Sequence, residues 1–298
     1  MIVNGILIED SFAEAFGMRA SRLIVTADTA HWAKVAATNM TGFATSVIGC
    51  GCEAGIERSL APAKTPDGRP GVAVLIFAMS AAELAKQVAL RVGQSVLTSP
   101  GSACFSGLDA EETVPLGKTL RFFGDGHQAS KRVLGRRYWR IPVMDGEFVV
   151  EDTVGMVRAV GGGNFLVLAR SRAAGLAAAE RTVAAIRRLP NVILPFPGGI
   201  VRSGSKIGSK YKGLIASTND AYCPTLRGTG ASKLEPETGA VYEVVIDGLT
   251  EADVRAAMRA GIAAACEPGA EAGITAVTAG NYGGRLGKFR FPLREIMA

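Results

Sequence analysis

An apolar run followed by the start of a helix occurs in each half of this chain of 298 residues. In the first half, the apolar run at residues 72–79 predicts a buried strand, and a capping box at residues 80–83 predicts the helix that follows it. In the second half, residues 241–246 form a similar run, and Thr250 starts the next helix. The repeated order predicts two copies of one fold.

Each half also supplies a strand, a helix and a second strand before these elements, and a closing strand after them. The order in each half is then strand, helix, two strands, helix and strand, which is the ferredoxin-like arrangement. The other elements predicted are a strand at 21–27, a helix from Asp28 to about 39, a strand at 43–49, a glycine- and proline-rich excursion at 51–71, a strand at 120–123, a strand at 165–169, a helix at 172–188, an extended segment at 199–202 and a strand at 274–278. We predict an α+β protein with two ferredoxin-like (βαββαβ) lobes that arise from an internal duplication, at residues 1–149 and 150–298.

The composition is typical of a folded globular chain. Hydrophobic residues make up 48% of it and charged residues 20%, a combination that disordered tails and coiled coils do not show. The most apolar run is about eight residues long, whereas a bilayer span needs about 20, and the acidic N-terminal segment lacks the basic start of a signal peptide. The five cysteines have no framework of spacings and are interpreted as reduced thiols. We therefore predict a cytoplasmic protein without membrane association.

Several common motifs for metals and cofactors are missing from the sequence. Two histidines, His31 and His127, are too few for a zinc site of the HExxH or three-histidine kind. No GxxxxGK[ST] loop or GxSxG elbow occurs, and the glycines at 161–163 precede a strand instead of following one. The sequence therefore implies no metal, and neither nucleotide-binding fingerprint has its required context.

Two loops combine small residues with cations. Residues 202–212 contain four cations among glycines and serines, and residues 281–288 have a similar composition. Small residues let backbone N–H groups approach an anion, and lysine or arginine can pair with it. The alternative is a solvated, flexible loop. The formal net charge of +6 is compatible with an acidic ligand, a nucleic acid or an anionic surface.

Glu243 is the most informative single residue. It lies in the predicted strand at 241–246, with valines on its own face and apolar residues on the other. A carboxyl group in such surroundings either pairs with a cation or has its pKa raised until it is protonated near neutral pH, when it can donate a hydrogen bond. The alternative is a glutamate on an edge strand that reaches solvent.

Eight longer motifs point to a family. They are IEDSFAEAF at 8–16, EAGIE at 53–57, KTPDGRPG at 64–71, FFGDG at 122–126, GGNF at 162–165, PFPGG at 195–199, CPTL at 223–226 and TAGNYGG at 278–284. In this order, these strings closely resemble the formylmethanofuran:tetrahydromethanopterin formyltransferases. The resemblance covers nearly the whole chain.

The resemblance implies a cytoplasmic enzyme of one-carbon metabolism. Members of this family move a formyl group between the amine of a methanofuran-type carrier and N5 of tetrahydromethanopterin. Both carriers are substrates, and no metal or tightly bound prosthetic group is needed. The family fold is a pair of ferredoxin-like lobes, and its members associate as dimers or tetramers. A buried glutamate on a strand is the family's leading catalytic candidate, and Glu243 matches it here.

Formyl transfer gives such a glutamate a chemical task. An amine that attacks a formamide carbon forms a tetrahedral adduct whose oxygen becomes negative, and a protonated Glu243 can stabilise that charge. Both carriers also have acidic parts, which gives the positive loops a purpose. The predicted substrate-binding residues are Lys206, Arg285 and Lys288 as anion contacts, and Asn164, Ser205 and Tyr282 as polar positioning residues.

The charge and composition also bear on source and partners. Many archaeal relatives are strongly acidic, whereas this chain is positive and rich in Arg and Ala, which favours a methylotrophic bacterium. In that setting the resemblance implies the reverse direction, from tetrahydromethanopterin to the furan carrier, with partner hydrolase subunits that release formate.

Two competing interpretations remain. The first is a mainly scaffolding, non-catalytic subunit of a formyl hydrolase complex. An RNA-binding protein would also combine ferredoxin-like sheets with positive charge, but it needs exposed aromatic residues and an RNP1 string. Aromatic residues make up only 6% of the chain and no such string occurs, so we predict no nucleic-acid partner.

Overall fold

The computed structural model describes residues 1–229, 231–281 and 283–298 and shows two compact units. Met1–Gly17 and Val160–Ala298 form the first, which we call the split unit. Met18–Ala159 form the second, which we call the central unit.

Strands and helices alternate along the chain, with short 3-10 turns between some of them. The strands are β1 (Ile2–Val3), β2 (Ile6–Ile8), β3 (Phe12–Thr26), β4 (Glu53–Leu60), β5 (Gly71–Ala78), β6 (Ala103–Ser106), β7 (Thr113–Pro115), β8 (Ala129–Val133), β9 (Arg136–Val143), β10 (Gly146–Glu151), β11 (Thr153–Gly155), β12 (Val157–Ala169), β13 (Val192–Ile193), β14 (Lys206–Ile207), β15 (Ala216–Ser217), β16 (Ala240–Gly248), β17 (Ile274–Thr278) and β18 (Phe289–Pro292). The α-helices are α1 (Ala30–Thr41), α2 (Val47–Cys50), α3 (Ala81–Arg91), α4 (Gly117–Leu120), α5 (Arg172–Ile186), α6 (Glu251–Cys266) and α7 (Leu293–Met297).

The central unit is built on a mixed sheet with the strand order β4-β5-β3-β6-β10-β9-β8. β6 and β10 run parallel, and the other neighbours run antiparallel. Helices α1 and α3 bury their apolar residues against this sheet, which removes that surface from water. Fully buried members of this core include Leu23, Val25, Met40, Val74, Ile76, Leu84 and Val88.

The strand and helix predicted at residues 72–83 are confirmed by β5 and α3. Every residue of β5 is buried, as a continuous apolar run predicts. Ser80 caps α3, because its Oγ accepts a hydrogen bond from the backbone N of Glu83 at 3.2 Å.

Three other predictions for the central unit are wrong. Residues 43–49 form no strand; β4 lies further along, inside the predicted excursion, because it pairs with β5 as a hairpin that its own composition does not reveal. Residues 120–123 end α4 and enter a 3-10 turn, and β6 takes the place of the closing strand. The cap of α1 is Thr29 and not Asp28, since the Thr29 side chain accepts from the backbone N of Trp32 at 3.3 Å.

In the split unit, the strands follow the order β1-β2-β17-β12-β16-β13. β2 and β17 run parallel, and the other neighbours run antiparallel. Helices α5 and α6 cover one face. Buried residues between that face and the helices include Phe165, Val167, Val244, Ile246, Met258, Ile262 and Val277.

The N-terminal segment is an integral part of the split unit. β2 pairs with β17, and residues 12–15 of β3 pair with β18. These pairings explain why the chain leaves this unit after Gly17 and returns to it at Val160. The sequence patterns gave no sign of this return, because the partner strands are more than 250 residues apart.

Both units contain the same arrangement of four strands and two helices. The strand orders β4-β5-β3-β6 and β13-β16-β12-β17 correspond, and in each a helix follows the first and third strands of the chain order. The predicted α+β class is confirmed.

The prediction for the second strand of the split unit, at 199–202, is wrong. That strand is β13, because Val192 and Ile193 pair with the end of β16.

Close packing of α5, α6 and the sheet requires a glycine. A Cβ atom at Gly261 would lie 2.8 Å from Ile186 Cδ1 and 2.9 Å from Phe165 Cζ, both closer than van der Waals contact. Gly261 therefore lets α6 pack directly against the sheet and α5.

Helix length bears on the membrane question. The longest α-helix, α6, has 16 residues, fewer than the 20 or so that a bilayer requires. Within the described part of the chain, no helix combines the length and the apolar character needed to cross a membrane.

Candidate active site

A cavity of about 580 Å³ lies in the split unit. Its lining comes from the middle of β12 and β16, from the end of β17 and from the segment between β2 and β3. The loops around β14 and the 3-10 turn at Tyr222 complete it. The polar side chains that line it include Glu9, Ser11, Asn164, Ser205, Lys206, Asp220, Tyr222, Lys233, Glu243 and Thr278. The volume is in the range of small-molecule sites.

Glu243 lies on β16 between two neighbouring segments. It is opposite Leu166 of β12, and on its other side it exchanges two backbone hydrogen bonds with Val201, at 2.8 and 3.0 Å. The backbone is therefore paired on both sides at this position, and the alternative of an edge-strand glutamate does not hold. Its side chain is half-buried and is directed to the cavity that it lines.

The surroundings of the Glu243 carboxyl group offer it little compensation for lost water. Among the described residues, none forms a hydrogen bond or an ion pair with it. Its removal from water raises its pKa from 4.5 to about 7, because desolvation penalises the charged form. The acid is thus close to half-protonated at neutral pH. Of the two outcomes predicted for a buried carboxyl group, the structure shows the raised pKa.

Asn164 lies on the same face of the sheet as Glu243. In the register of β12 and β16, Leu166 is opposite Glu243 and Asn164 is opposite Val245, so the two polar residues are diagonal neighbours. Asn164 is only 1% exposed, and its Oδ1 accepts a hydrogen bond from the backbone N of Gly280 at 2.9 Å. The side chain is therefore held in place at the cavity wall.

Ser11 and Thr278 fix the opposite wall. The Oγ of Ser11 accepts from the backbone N of Ala279 at 3.0 Å and from Thr278 Oγ1 at 3.1 Å. Tyr222 also lines the cavity, and burial raises the pKa of its hydroxyl group, as does the nearby charge of Glu9. The hydrogen bonds of Ser11 connect two segments that are distant in the sequence.

Two lysines line the cavity, in different electrostatic states. Lys206 Nζ forms an ion pair with Asp220 Oδ2 at 2.6 Å, and this hydrogen bond lowers the pKa of the Asp220 carboxyl group. Lys233 is exposed and has no ion pair with any residue that the structure describes. Ser205, next to Lys206, is also exposed and lines the cavity.

The second positive loop is held by a buried carboxylate. Glu14, which is fully buried, accepts hydrogen bonds from the backbone N atoms of Gly284, Leu286 and Gly287 at 2.9, 3.0 and 3.1 Å. This contact shapes the loop, because a carboxylate can satisfy several N–H donors at once.

The structure thus brings four of the predicted site residues together and leaves others apart. Glu243, Asn164, Ser205 and Lys206 all line the cavity. Arg285 and Lys288 are exposed on the loop held by Glu14 and are not part of the lining, and the Lys288 Nζ lies 5.8 Å from the ring centroid of Phe289. Tyr282 lies outside the described residues.

Sequence reasoning missed several lining residues. Glu9 and Ser11 belong to the motif at 8–16, and Thr278 opens the motif at 278–284, so membership of an unusual string was the available signal. Tyr222 directly precedes another motif, CPTL. Lys233 has no comparable signal, because it reaches the cavity from an irregular segment.

Family comparisons agree with the motifs. The sequence model of the formylmethanofuran-tetrahydromethanopterin formyltransferase family matches residues 1–143, and the model of the proximal lobe of the same family matches residues 146–296. Together these two matches cover almost the entire chain.

Individual relatives are similar over their full length. The formylmethanofuran–tetrahydromethanopterin formyltransferase of Methylococcus capsulatus is 65% identical, with 100% of both chains covered. A second relative is a chain in the crystal structure of the formyltransferase/hydrolase complex from Methylorubrum extorquens with methylofuran. It is 56% identical and has a TM-score of 0.98, and the match covers 100% of this chain and 99% of that one. The formyltransferase of Methanosarcina barkeri is 46% identical, with a TM-score of 0.92 over 99% of this chain and 100% of that one. The predicted family is confirmed: the chain belongs to the formylmethanofuran–tetrahydromethanopterin formyltransferases.

Proposed function

We propose that this chain transfers a formyl group between N5 of tetrahydromethanopterin and the amine of a methanofuran-type carrier, with Glu243 as the catalytic residue. The observation that carries this proposal is a strand carboxyl group, without a described partner and with a pKa of about 7, at the wall of a ligand-sized cavity. Full-length relatives named as formyltransferases support catalysis over the scaffolding alternative.

The reaction defines what Glu243 has to do. The attacking amine nitrogen forms a bond to the formyl carbon, and the carbonyl electron pair moves to oxygen, which gives a tetrahedral adduct. The bond from that carbon to the original nitrogen then breaks. The attacking nitrogen loses one proton and the leaving nitrogen gains one, so no net proton is released. A protonated Glu243 donates a hydrogen bond to the developing oxyanion, and a pKa near 7 also suits it to exchange the travelling proton.

The remaining lining residues suit carriers with acidic groups. Lys206 and Lys233 place positive charge at the cavity, and Ser205 adds an exposed hydroxyl group. Arg285 and Lys288 can extend this positive surface beyond the cavity toward the acidic tails of the carriers. Both carriers act as substrates, and acyl transfer between two amines changes no oxidation state, so the proposal includes no tightly bound cofactor.

The architecture and assembly are proposed on similar grounds. The strand orders β4-β5-β3-β6 and β13-β16-β12-β17 support two ferredoxin-like lobes. A boundary near residue 150 agrees with the family models, which cover 1–143 and 146–296, although Met1–Gly17 belongs to the compact unit of the second half. The M. extorquens relative is part of a formyltransferase/hydrolase complex, which supports partner hydrolase subunits for this chain. We also propose a homo-oligomer, a dimer or tetramer, in the cytoplasm. With a hydrolase partner, formyl passes from tetrahydromethanopterin to the furan carrier and is released as formate.

The test is a formyl-transfer assay with the purified chain. Tetrahydromethanopterin in formylated form and a methanofuran-type amine are mixed with the chain alone, and transfer is followed by absorbance. We expect turnover by the chain alone, and formate release only when hydrolase subunits are added. Transfer that depends on the hydrolase subunits would instead support the scaffolding interpretation.

A further inference from the structure

The amide group of Asn164 has a fixed orientation. Because Oδ1 accepts the hydrogen bond from the Gly280 backbone N at 2.9 Å, the NH₂ end of the amide is the end left for other partners. Among the described residues, none accepts a hydrogen bond from that NH₂ group. Asn164 lines the cavity although it is only 1% exposed, so an unused donor is located at the cavity wall.

The position of this donor relative to Glu243 is set by the sheet. Diagonal neighbours on one face of an antiparallel pair are about 7 to 8 Å apart at their backbones. Both side chains extend from that face to the same cavity, and no hydrogen bond joins them. A carbonyl oxygen that accepts from both groups would have to lie within about 3 Å of each donor atom.

We infer that Asn164 is a second catalytic residue, whose amide N–H donates a hydrogen bond to the formyl oxygen together with the Glu243 carboxyl group. The inference rests on the proposed formyl transfer and assigns the atom that completes its oxyanion site. As the amine nitrogen bonds to the formyl carbon and the electron pair moves to oxygen, both hydrogen bonds shorten to the charged oxygen. They weaken again when the carbon–nitrogen bond to the leaving amine breaks.

Gly280 is the residue that positions this amide. A Cβ atom at residue 280 would lie 3.0 Å from Asn164 Nδ2 and 3.2 Å from Oδ1, tighter than ordinary contacts. A larger residue would therefore push the amide away from its present orientation. The absence of a side chain at Gly280 therefore permits the hydrogen bond between its backbone N and Asn164 Oδ1.

Two substitutions at residue 164 separate a donor from a structural role. Asn164→Ala removes both hydrogen bonds, whereas Asn164→Asp keeps an oxygen that can accept from Gly280 but replaces the NH₂ donor by an anionic oxygen. We expect Asn164→Ala to lower kcat about 10²- to 10³-fold with KM changed little, as for the loss of one oxyanion donor. At pH 9, where the new carboxyl group ionises, Asn164→Asp should be slower still, and its rate relative to Asn164→Ala should rise as the pH falls.

The opposite ranking would overturn the inference. If Asn164 acts only by holding Gly280, then Asn164→Asp is faster than Asn164→Ala at every pH. A kcat of Asn164→Ala within about fivefold of that of the unsubstituted chain also excludes the donor role. Should both variants melt early, Gly280→Ala displaces the amide without removing it, and an unchanged kcat in that variant overturns the inference.

The controls keep this test apart from that of the proposed function. The unsubstituted chain is assayed beside the variants, and its own failure to transfer formyl refutes the function, whereas active chain with active Asn164 variants refutes only the donor. Asn4→Asp is the matched amide-to-acid control, because Asn4 lies outside the cavity lining and its Nδ2 donates to the Cys266 carbonyl oxygen at 3.2 Å. It should retain kcat.

Discussion

Glu57 of the central unit and Glu243 of the split unit are both glutamates on sheet strands, yet their surroundings differ completely. Glu57 accepts two hydrogen bonds from the Arg22 guanidinium group, at 2.7 and 2.8 Å, and forms a further ion pair with Arg58 at 3.1 Å. Glu243 has neither a cation nor a donor beside it among the described residues. One acid stabilises the fold as a carboxylate, and the other is kept in a state where it can hold a proton.

The strands themselves show the same contrast. β5 and β16 take corresponding places in the two units, third in the repeated order. β5 is entirely buried and apolar, whereas β16 is buried on the helix-covered face and opens to the cavity on the face of Glu243. The repeated order therefore supplies a scaffold in both units, and a glutamate among valines on the cavity side of β16 distinguishes the split unit.

The largest expected effect distinguishes the two glutamates by activity. Glu243→Gln should lower kcat by about two to three powers of ten, because Gln keeps a neutral donor but cannot release and take up a proton. Its melting temperature should not fall, since no described partner of the carboxyl group is lost. Initial rates with both carriers at saturating concentration measure this, and near-normal turnover of Glu243→Gln would remove the residue from the mechanism.

The next effect is in the pH dependence. The protonated form of Glu243 is the donor, and it is lost as the pH rises through about 7, so kcat should fall by up to tenfold per pH unit above that value. The comparison is with Glu243→Gln, whose residual rate should lack this decline. Equal pH profiles of the two proteins would contradict the assignment.

Stability should follow the same titration. The folded-state pKa of about 7 is higher than the ordinary 4.5, so the folded chain binds the proton more tightly and loses stability as the pH rises from about 4.5 to 7. The loss is on the order of 3 kcal/mol. Urea unfolding at pH 5 and pH 8 should therefore show a smaller difference for Glu243→Gln than for the unsubstituted chain.

Glu57→Gln should give the reverse pattern. Arg22 would lose a charged, bidentate partner, and we expect the free energy of unfolding to fall by about 1.5 to 3 kcal/mol. Formyl transfer at 25 °C should stay within about twofold, because Glu57 is not part of the cavity lining. A large loss of kcat in a folded Glu57→Gln protein would break the division between a structural and a catalytic acid.

Local patterns predicted the elements that depend on local chemistry. The apolar run of β5, the Ser80 cap and the alternation around Glu243 are all visible in fewer than ten neighbouring residues. β4 was missed because its sequence has glycine and charged residues, and it is held as a strand by its pairing with β5. Pairing between segments is a tertiary effect that propensity does not contain.

The same reasoning applies to the site. The alternation of its strand indicates Glu243, whereas Asn164 was assigned through the family resemblance, to which its motif at 162–165 contributes. The contact between Ser11 and Thr278 joins residues 267 positions apart, so only the folded sheet places these hydroxyl groups together. The ion pair of Lys206 with Asp220 is also a product of the fold, and a count of charges in the loop treats every lysine as available.

The smallest expected effect compares these two lysines. Lys233 is unpaired among the described residues, whereas Lys206 already has Asp220 at 2.6 Å. Lys233→Ala should therefore raise the KM for the acidic carriers by about fivefold, the scale of about 1 kcal/mol for an exposed ion pair. Lys206→Ala should raise it less, because Lys206 Nζ already donates to Asp220 and is therefore less available for direct contact with a carrier.

Salt provides the independent measurement. Screening weakens attraction between exposed charges, so the KM of the unsubstituted chain should rise between low and high ionic strength, and Lys233→Ala should show a shallower rise. Lys34→Ala is a suitable control, because Lys34 lies on α1 of the central unit and does not line the cavity. A KM that is independent of salt in all three proteins would mean that the positive charge at the cavity does not serve acidic substrates, and the contrast between the two units would then rest on Glu243 and its neighbours alone.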